Sequence, residues 1–415
     1  MYNQQTYNTI IIGAGASGLI AAVTAAEKGE KVLVLEKMER AGRKLLITGK
    51  GRCNITNTAE LKEFIQQIHP NGRYLRPAFS KFFSADIIDI LEKQGLKTKI
   101  ERGGRVFPED DLAKSVVRSL LKGLEKSGAE IEYNARVEKL IIQQGEIKGV
   151  EANINGKTER ISADKVIICT GGKSYPATGS SGDGYKFASD AGHTIIPVRQ
   201  ALVPLETKGD IASKLQGLAL KNVKASVWVN GKKHKDDFGE MLFTHFGLSG
   251  PIILTLSGIV VDELSNDNKV VISIDLKPAL DDPKLDKRLL RDLDENGKKR
   301  LENIFKLWLP SKMIPVFLEK LNLDADKLGH QVSANERKQI RLLMKDFRFD
   351  ISGYRSFKEA IITAGGVATS EVNSKTMESK LVKGLFFAGE ILDLNADTGG
   401  YNLQIAWSTG ALAGQ

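Results

Sequence analysis

Cysteine is nearly absent from this chain. Cys53 and Cys169 stand far apart, form no CxxC pair and offer no disulfide framework, a usage that suits a reducing compartment. No residue cluster reads as a metal site. Long apolar runs are missing too: Thr9–Ala26 is interrupted by glycines and Pro251–Val261 is too short to cross a bilayer, so no membrane span is expected. Met1–Thr9 has no positive stretch ahead of an apolar run, so no secretory signal is expected and a cytoplasmic location is. Repeats, low-complexity tracts and obvious flexible linkers are absent. At 415 residues, with 41% hydrophobic and 27% charged residues, the chain reads as an ordered globular protein of two or three domains. The formal net charge of +9 admits two readings, a surface for polyanions or a solvated lysine-rich face.

The chain opens β-α-β. Thr9–Ile12 is a short apolar strand, a glycine turn leads into a helix of small and apolar residues ending at Gly29, and Lys31–Leu35 is a second strand ending at Glu36. A basic glycine-rich loop, Gly42 to Asn57, precedes helical patterns at Phe82–Gln94 and Leu112–Ser127. Glu130–Ile161 reads as a small β-meander with turns at Gln144-Gly145 and Asn155-Gly156, and Lys165–Thr170 as a buried strand. Beyond His193 come Val223–Val229, Met241–Thr244, Ile252–Leu256 and Val270–Leu276, four strand-like runs that suggest an antiparallel sheet or barrel. Pro283–Lys345 is helical and heavily charged. Strand-like segments return at Phe347–Ile351 and Ala360–Ala364, and Lys383–Glu390 runs into a second glycine-rich turn and a final helix from Asn402. The fold class expected is α/β: a Rossmann-like domain of residues 1–192 and 365–415, interrupted by a β-barrel-like insert (193–280 and 346–364) and a helical insert (281–345).

Gly13-x-Gly15-x-x-Gly18 follows a strand and opens a helix, the setting a dinucleotide fingerprint requires. Gly13 permits the tight turn, Gly15 lets backbone approach a pyrophosphate, Gly18 lets helix and strand pack closely, and Ala16 and Ser17 begin the helix whose free N–H groups face the phosphates. Glu36 closes the second strand and can accept hydrogen bonds from ribose hydroxyls. The fingerprint does not separate FAD from NAD. The C-terminal segment does: Gly389, Glu390 and Asp393, then Gly399-Gly400-Tyr401-Asn402-Leu403 at a helix start, can meet the far end of a long dinucleotide, with Asp393 on ribityl hydroxyls and the N–H groups after Gly400 at the flavin edge. Non-covalent FAD is the cofactor expected.

Four segments then carry a resemblance: Gly42–Asn57 (GRKLLITGKGRCNITN), Cys169-Thr170-Gly171-Gly172 with Tyr175-Pro176, Leu242–Pro251 (LFTHFGLSGP) and Gly389–Gln404. They span the chain, and in them it resembles the BaiN-like family of bacterial flavoproteins, also labelled NAD(P)/FAD-dependent oxidoreductase or aminoacetone oxidase. The resemblance implies a two-dinucleotide-binding-type FAD domain interrupted by a barrel-like and a helical module. It implies that Arg43, Lys44, Thr48, Gly49, Arg52 and Asn54 wrap the flavin and pyrophosphate, with Lys37 beside Glu36, Val137 at the adenine and Thr170-Gly171-Gly172 lining the site. Cys53 would lie in the flavin-facing loop, either as a proton donor or as a small packing thiol. His245, in the inserted module's signature, would be a proton donor near substrate or a structural histidine.

Activities attributed to the family include reduction of enone-type bonds, oxidation of small amines, and reduction of uridine to dihydrouridine in ribosomal RNA. No second GxGxxG occurs, so NAD(P)H is expected as a transient reductant without a domain of its own. Lys31–Thr56 holds seven Lys or Arg against two acids, which with the charged helical insert points toward an RNA substrate. Two other readings stay open: a small-molecule oxidase or reductase, and a non-catalytic FAD-dependent binding protein.

Overall fold

The computed structural model describes residues 6–415 and divides at Gln200/Ala201 and Ser356/Phe357 into two compact units. The first five residues of the Met1–Thr9 stretch lie outside the described residues.

The first unit (residues up to 200 and 357–415) is built on a seven-stranded sheet. Glu130–Tyr133, Val32–Glu36, Thr6–Ile12 and Lys157–Ile168 run parallel in that spatial order, and Glu146–Ile154 and Ala135–Gln143 continue the sheet antiparallel. Ile10 is paired with both Leu33 and Val166, and all three are buried, as expected of parallel strands covered on both faces. The strand expected at Lys165–Thr170 is the second half of one long strand. Its first half pairs antiparallel with the meander, and its second half pairs parallel with Leu385–Phe387, where the chain returns. The helices Ala16–Glu27 and Tyr401–Gly414 pack closely because their facing residues are small. A Cβ on Gly410 would come within 2.3 Å of the Ser17 carbonyl, and one on Gly414 within 2.6 Å of the Ala21 carbonyl.

The second unit (residues 201–356) holds a closed six-stranded barrel: Leu205–Thr207, Gly247–Ser249, Lys232–Phe243, Ala219–Val229, Val270–Asp275 and Phe347–Tyr354. Its core includes Val227, Phe243, Ile272 and Phe347, and the same cluster continues through Leu289, Phe305, Phe317 and Met344 of the helical insert. Barrel and helices therefore share one core rather than forming two modules.

Two expectations need correction. Ile252–Leu256 is not a strand but part of the helix Pro251–Ser265. Pro251 occupies the first turn, where its missing N–H costs nothing, and a continuous apolar run cannot be told from a buried strand by periodicity. The boundaries also shift: residues 193–200 and 357–364 lie in the first unit, where Ile195–Ala201 pairs with Ile362–Val367.

Candidate cofactor cradle

The three fingerprint glycines are required for different reasons. Gly13 has φ +102°, and a Cβ there would sit 2.7 Å from the Cys169 carbonyl. On Gly18 a Cβ would fall 1.9 Å from the Gly13 carbonyl, so strand and helix pack only because it has none. Gly15 differs: its backbone is extended and a Cβ would find no protein atom within 4 Å. The fold leaves that space free, and the requirement for glycine comes from what approaches from outside. Gly15 also caps Ala16–Glu27 without a side-chain hydrogen bond, which leaves the first N–H groups available. Glu36 ends the second strand and accepts from Ala14 N (2.8 Å) and Met38 N (2.9 Å), one on each oxygen. Burial raises its pKa, and those two hydrogen bonds oppose the shift. Val137 is buried in the strand Ala135–Gln143, close to Asn134, whose N–H donates to the Met38 carbonyl (3.2 Å).

The C-terminal motif comes to the same place. Gly389 donates to Thr409 Oγ1 (2.9 Å), and a Cβ on it would stand 2.6 Å from Ser17 Oγ. Gly400 (φ +98°) caps the final helix, again without a side-chain cap, and its Cβ would lie 2.4 Å from the Thr56 carbonyl and 3.0 Å from Asn54 Oδ1. The Gly42–Asn57 segment is more structured than the loop expected, with a helix at Arg43–Ile47 and a left-handed turn through Gly49 and Lys50. It is tied to the final helix by Thr56 Oγ1 on Gln404 (2.6 Å) and by Trp407 Nε1 donating to the Ile55 carbonyl (2.9 Å). Asn57 Nδ2 reaches the carbonyls of both Gly103 and Gly399, each at 2.9 Å.

The cations expected to wrap the pyrophosphate are instead tied to carboxylates. Arg43 pairs with Glu39 and donates to the Ala177 carbonyl, Lys37 bonds Asp183 (2.8 Å) and Ser181, and Arg52 pairs with Glu101 and Asp111 and lies over the Phe107 ring at 4.1 Å. Lys44 reaches Glu390 and Ser174, both at 2.6 Å. Glu390 also accepts from Ser174 Oγ and Thr363 N, each at 2.8 Å. Sequence reasoning missed Ser174 and Thr363. Thr363 Oγ1 accepts from Lys173 N and Ser174 N across 190 positions, a closure that only the returning chain creates. The charge argument for RNA weakens accordingly: of the seven cations in Lys31–Thr56, Lys37, Arg40, Arg43, Lys44 and Arg52 have acidic partners.

Of the remaining expected residues, Thr48 Oγ1 donates to the Leu45 carbonyl (2.7 Å), closing the short helix. Gly171 has φ +71°, and a Cβ on Gly172 would meet Thr363 Oγ1 at 2.4 Å. Burial raises the pKa of Asp393, opposed by Arg199 and a backbone bond from Gly365. Tyr401 meets the Phe64 ring edge-on at 4.7 Å. Asn402 grips the backbone of Ala396 through both amide atoms (2.8 and 2.7 Å), and Leu403 is partly buried against the core. Cys53 is fully buried at φ +60°, and burial pushes its thiol up to about 12. His245 belongs to the other unit, exposed on the turn 244–247, where its ring meets Phe246 edge-on at 4.9 Å. It is therefore no buried structural histidine. Among the described residues no group of metal-ligating side chains occurs, and no helix is long and apolar enough to cross a membrane.

These residues fit FAD. Two uncapped helix N-termini supply N–H donors, Gly15 leaves open space, and Glu36 offers an acceptor. Asn54 Oδ1, beside Gly400, and Thr170 Oγ1, beside Gly184, are buried without a partner in the protein. Fold and cradle define a flavin-dependent oxidoreductase of Rossmann architecture. The chain belongs to the family described as HI0933-like protein Rossmann domain, whose match covers residues 7–415. The ribosomal RNA dihydrouridine synthase of Escherichia coli (strain K12) is 32% identical to it over 407 residues, 98% of this chain and 96% of that protein. The 3-dehydro-bile acid delta(4,6)-reductase of Clostridium scindens is 33% identical, over 98% and 97% respectively. A solved 3-ketosteroid delta1-dehydrogenase from Sterolibacterium denitrificans shares the fold at a TM-score of 0.50 and 13% identity, over 99% of each chain. The chain is thus an enzyme rather than a non-catalytic flavin carrier.

Proposed function

We propose that this enzyme holds FAD non-covalently, takes its reducing equivalents from NAD(P)H, and saturates the C5=C6 bond of uridine in ribosomal RNA, in the cytoplasm where that RNA resides. The observation that carries the reading is the end-to-end match, at 32%, to a protein named for making dihydrouridine. FAD, when bound, supplies the hydride. The rest falls to the protein: the fingerprint helix and final helix offer N–H groups to the cofactor, and Glu36 offers its free lone pairs to a ribose.

Reduction of uracil also needs a proton at C5. A thiol without exposed surface, pushed up to about 12, is a poor source, so we assign Cys53 to packing rather than to proton delivery. The match at 33% to a protein named as a bile-acid reductase favours a second reading, a small-molecule reductase acting on a carbonyl-conjugated C=C bond. One experiment separates the two. Reduced holoenzyme is mixed anaerobically with ribosomal RNA lacking dihydrouridine or with a steroid enone, and flavin reoxidation and product mass are followed. Rapid reoxidation by RNA with a gain of two hydrogens on a uridine supports the first reading. Reoxidation by the enone alone supports the second and removes the first.

A further inference from the structure

We propose that the turn Glu101–Arg105, with Lys50 beside it, is a phosphate-holding finger for the RNA strand that carries the target uridine; this rests on the ribosomal RNA reading above. The strands Thr98–Glu101 and Arg105–Pro108 form a ribbon that takes Thr56-Asn57 as its third strand. At its tip Gly103 and Gly104 have φ of +79° and +72°. The tip is nonetheless fixed. Thr58 N donates to the Gly104 carbonyl (2.8 Å), and Asn57 Nδ2 joins the Gly103 carbonyl to the Gly399 carbonyl of the cofactor motif. A Cβ on Gly104 would strike Asn57 Oδ1 at 2.7 Å, so this glycine serves a tight seat rather than mobility. One amide therefore bridges the ribbon tip to the glycine pair that opens the final helix.

The charges around the tip are sorted. Glu101 and Asp111 are taken by Arg52, Lys99 and Arg105. Arg102 is exposed and has no carboxylate partner among the described residues, and Arg105 Nε donates to its backbone carbonyl (3.1 Å). Lys50 is also exposed and without an acidic partner among them. It sits in a run of left-handed residues, Gly49 (φ +56°), Lys50 (+59°) and Gly51 (+86°). A non-glycine residue in that region is strained and persists where the surroundings over-determine it, often at ligand sites. The surroundings here are the ribbon itself: Ile55 N donates to the Val106 carbonyl (2.8 Å), and a Cβ on Gly49 would lie 3.5 Å from the Phe107 ring. Two rigidly seated turns thus present the two unpartnered cations, with Ile47 and Ile100 exposed on the same elements at 43% and 65%. Exposed and cationic, these turns suit a chain of phosphates passing over them better than a small anion that needs enclosing.

The test uses the FAD-loaded full chain and its Arg102→Glu, Lys50→Glu and double variants. Lys157→Glu, at the exposed meander turn, is the control with the same charge change. Dihydrouridine formation on ribosomal RNA is measured over a salt series, together with FAD content and the KM for NADPH. The double variant should raise the KM for RNA roughly tenfold and flatten its log–log salt slope by about 1.4, near 0.7 per lost single-strand phosphate contact. FAD content and the KM for NADPH should hold, and Arg102→Lys should retain most of the wild-type KM. An equal loss in Lys157→Glu would show a general charge effect and overturn the proposal. A raised KM for NADPH with RNA unaffected would reassign the finger to the reductant and also overturn it. Unchanged kinetics on RNA that wild type modifies would remove the finger and leave the proposed function standing. If wild type leaves RNA unmodified, both fall.

Discussion

Replacing Gly15 and Gly18 by alanine, one at a time, separates what the fold requires from what the cofactor requires. At Gly18 the new methyl would lie 1.9 Å from a backbone carbonyl belonging to the first turn, which cannot move without opening the strand–helix junction. Overpacking of a rigid site costs about 3 kcal/mol or more, so the melting temperature of the apoprotein should fall by roughly 6–12 °C at 2–4 °C per kcal/mol. At Gly15 a methyl has no protein atom within 4 Å and the backbone is extended. Two small terms oppose each other there. Loss of unfolded-state freedom stabilises by about 0.4–1 kcal/mol, while alanine at a helix N-cap is worse than glycine by about half a kcal/mol. The apoprotein should therefore melt within about 2 °C of wild type. The same methyl would stand in the space left for the pyrophosphate, at a cost of about 1–3 kcal/mol, so FAD should bind roughly 5- to 150-fold more weakly. Scanning calorimetry of flavin-stripped protein and an FAD titration measure the two quantities. A Gly15→Ala apoprotein as unstable as Gly18→Ala, or one with wild-type FAD affinity, would refute the division of roles.

Glu36→Arg should lower FAD retention on gel filtration and leave the protein folded, because a cation replaces the ribose acceptor at a strand end; released cofactor that proves to be FMN would overturn the assignment. Cys53 and Cys169 are both fully buried with thiols pushed from 9.0 to about 12, so neither should react with a thiol reagent in native protein at pH 8, and both should on unfolding. With native pKa values above the unfolded ones, their contribution to stability is whole below pH 9 and declines from there to about 12, by about 1.4 kcal/mol per pH unit per thiol. A Cys53→Ala/Cys169→Ala variant should show a correspondingly flatter decline in urea titrations. Cys53→Ala should leave flavin reduction by NAD(P)H intact and slow reoxidation by substrate little. FAD affinity should change little between low and high salt, since the cations nearest the cradle are paired.

The first unit was legible because local chemistry and global fold coincide there. Strand, glycine turn, helix and acid-tipped strand announce themselves within Thr9–Glu36, and the meander turns at Gln144-Gly145 and Asn155-Gly156 take the left-handed residues their sequences favour. The helix Pro251–Ser265 was misread because residues buried on every side carry no periodicity. The domain edges near 193 and 364 were misplaced because strand pairing across 160 residues leaves no local trace. The cations between Lys37 and Arg52 were overvalued for the same reason: apart from Glu39, four residues from Arg43, their partners Glu101, Asp111, Asp183 and Glu390 lie 49 to 346 positions away.

That pairing changes how the cradle must work. Were Arg43, Lys44 and Arg52 free, a pyrophosphate could be held by side-chain charge, and the backbone would matter little. Each is instead matched to a carboxylate, so the donors left over are the N–H groups of two uncapped helix starts, at Gly15 and Gly400. Backbone donors are fixed by the fold and bring no side-chain entropy cost when a ligand arrives. They must, however, be held in register, and the glycines at positions 18, 389, 410 and 414 achieve this by letting the two helices and the returning strand approach within distances that a single methyl would forbid. The ion pairs act differently. They tie the cofactor loop to the ribbon and to Glu390, and Lys37 beside the second strand to Asp183, and they cancel the local charge. Against that neutral background Lys50 and Arg102 are the uncompensated cations of the loop and ribbon tip, and for that reason contacts to the phosphates of the proposed RNA substrate are better sought there than in the basic composition of the chain as a whole.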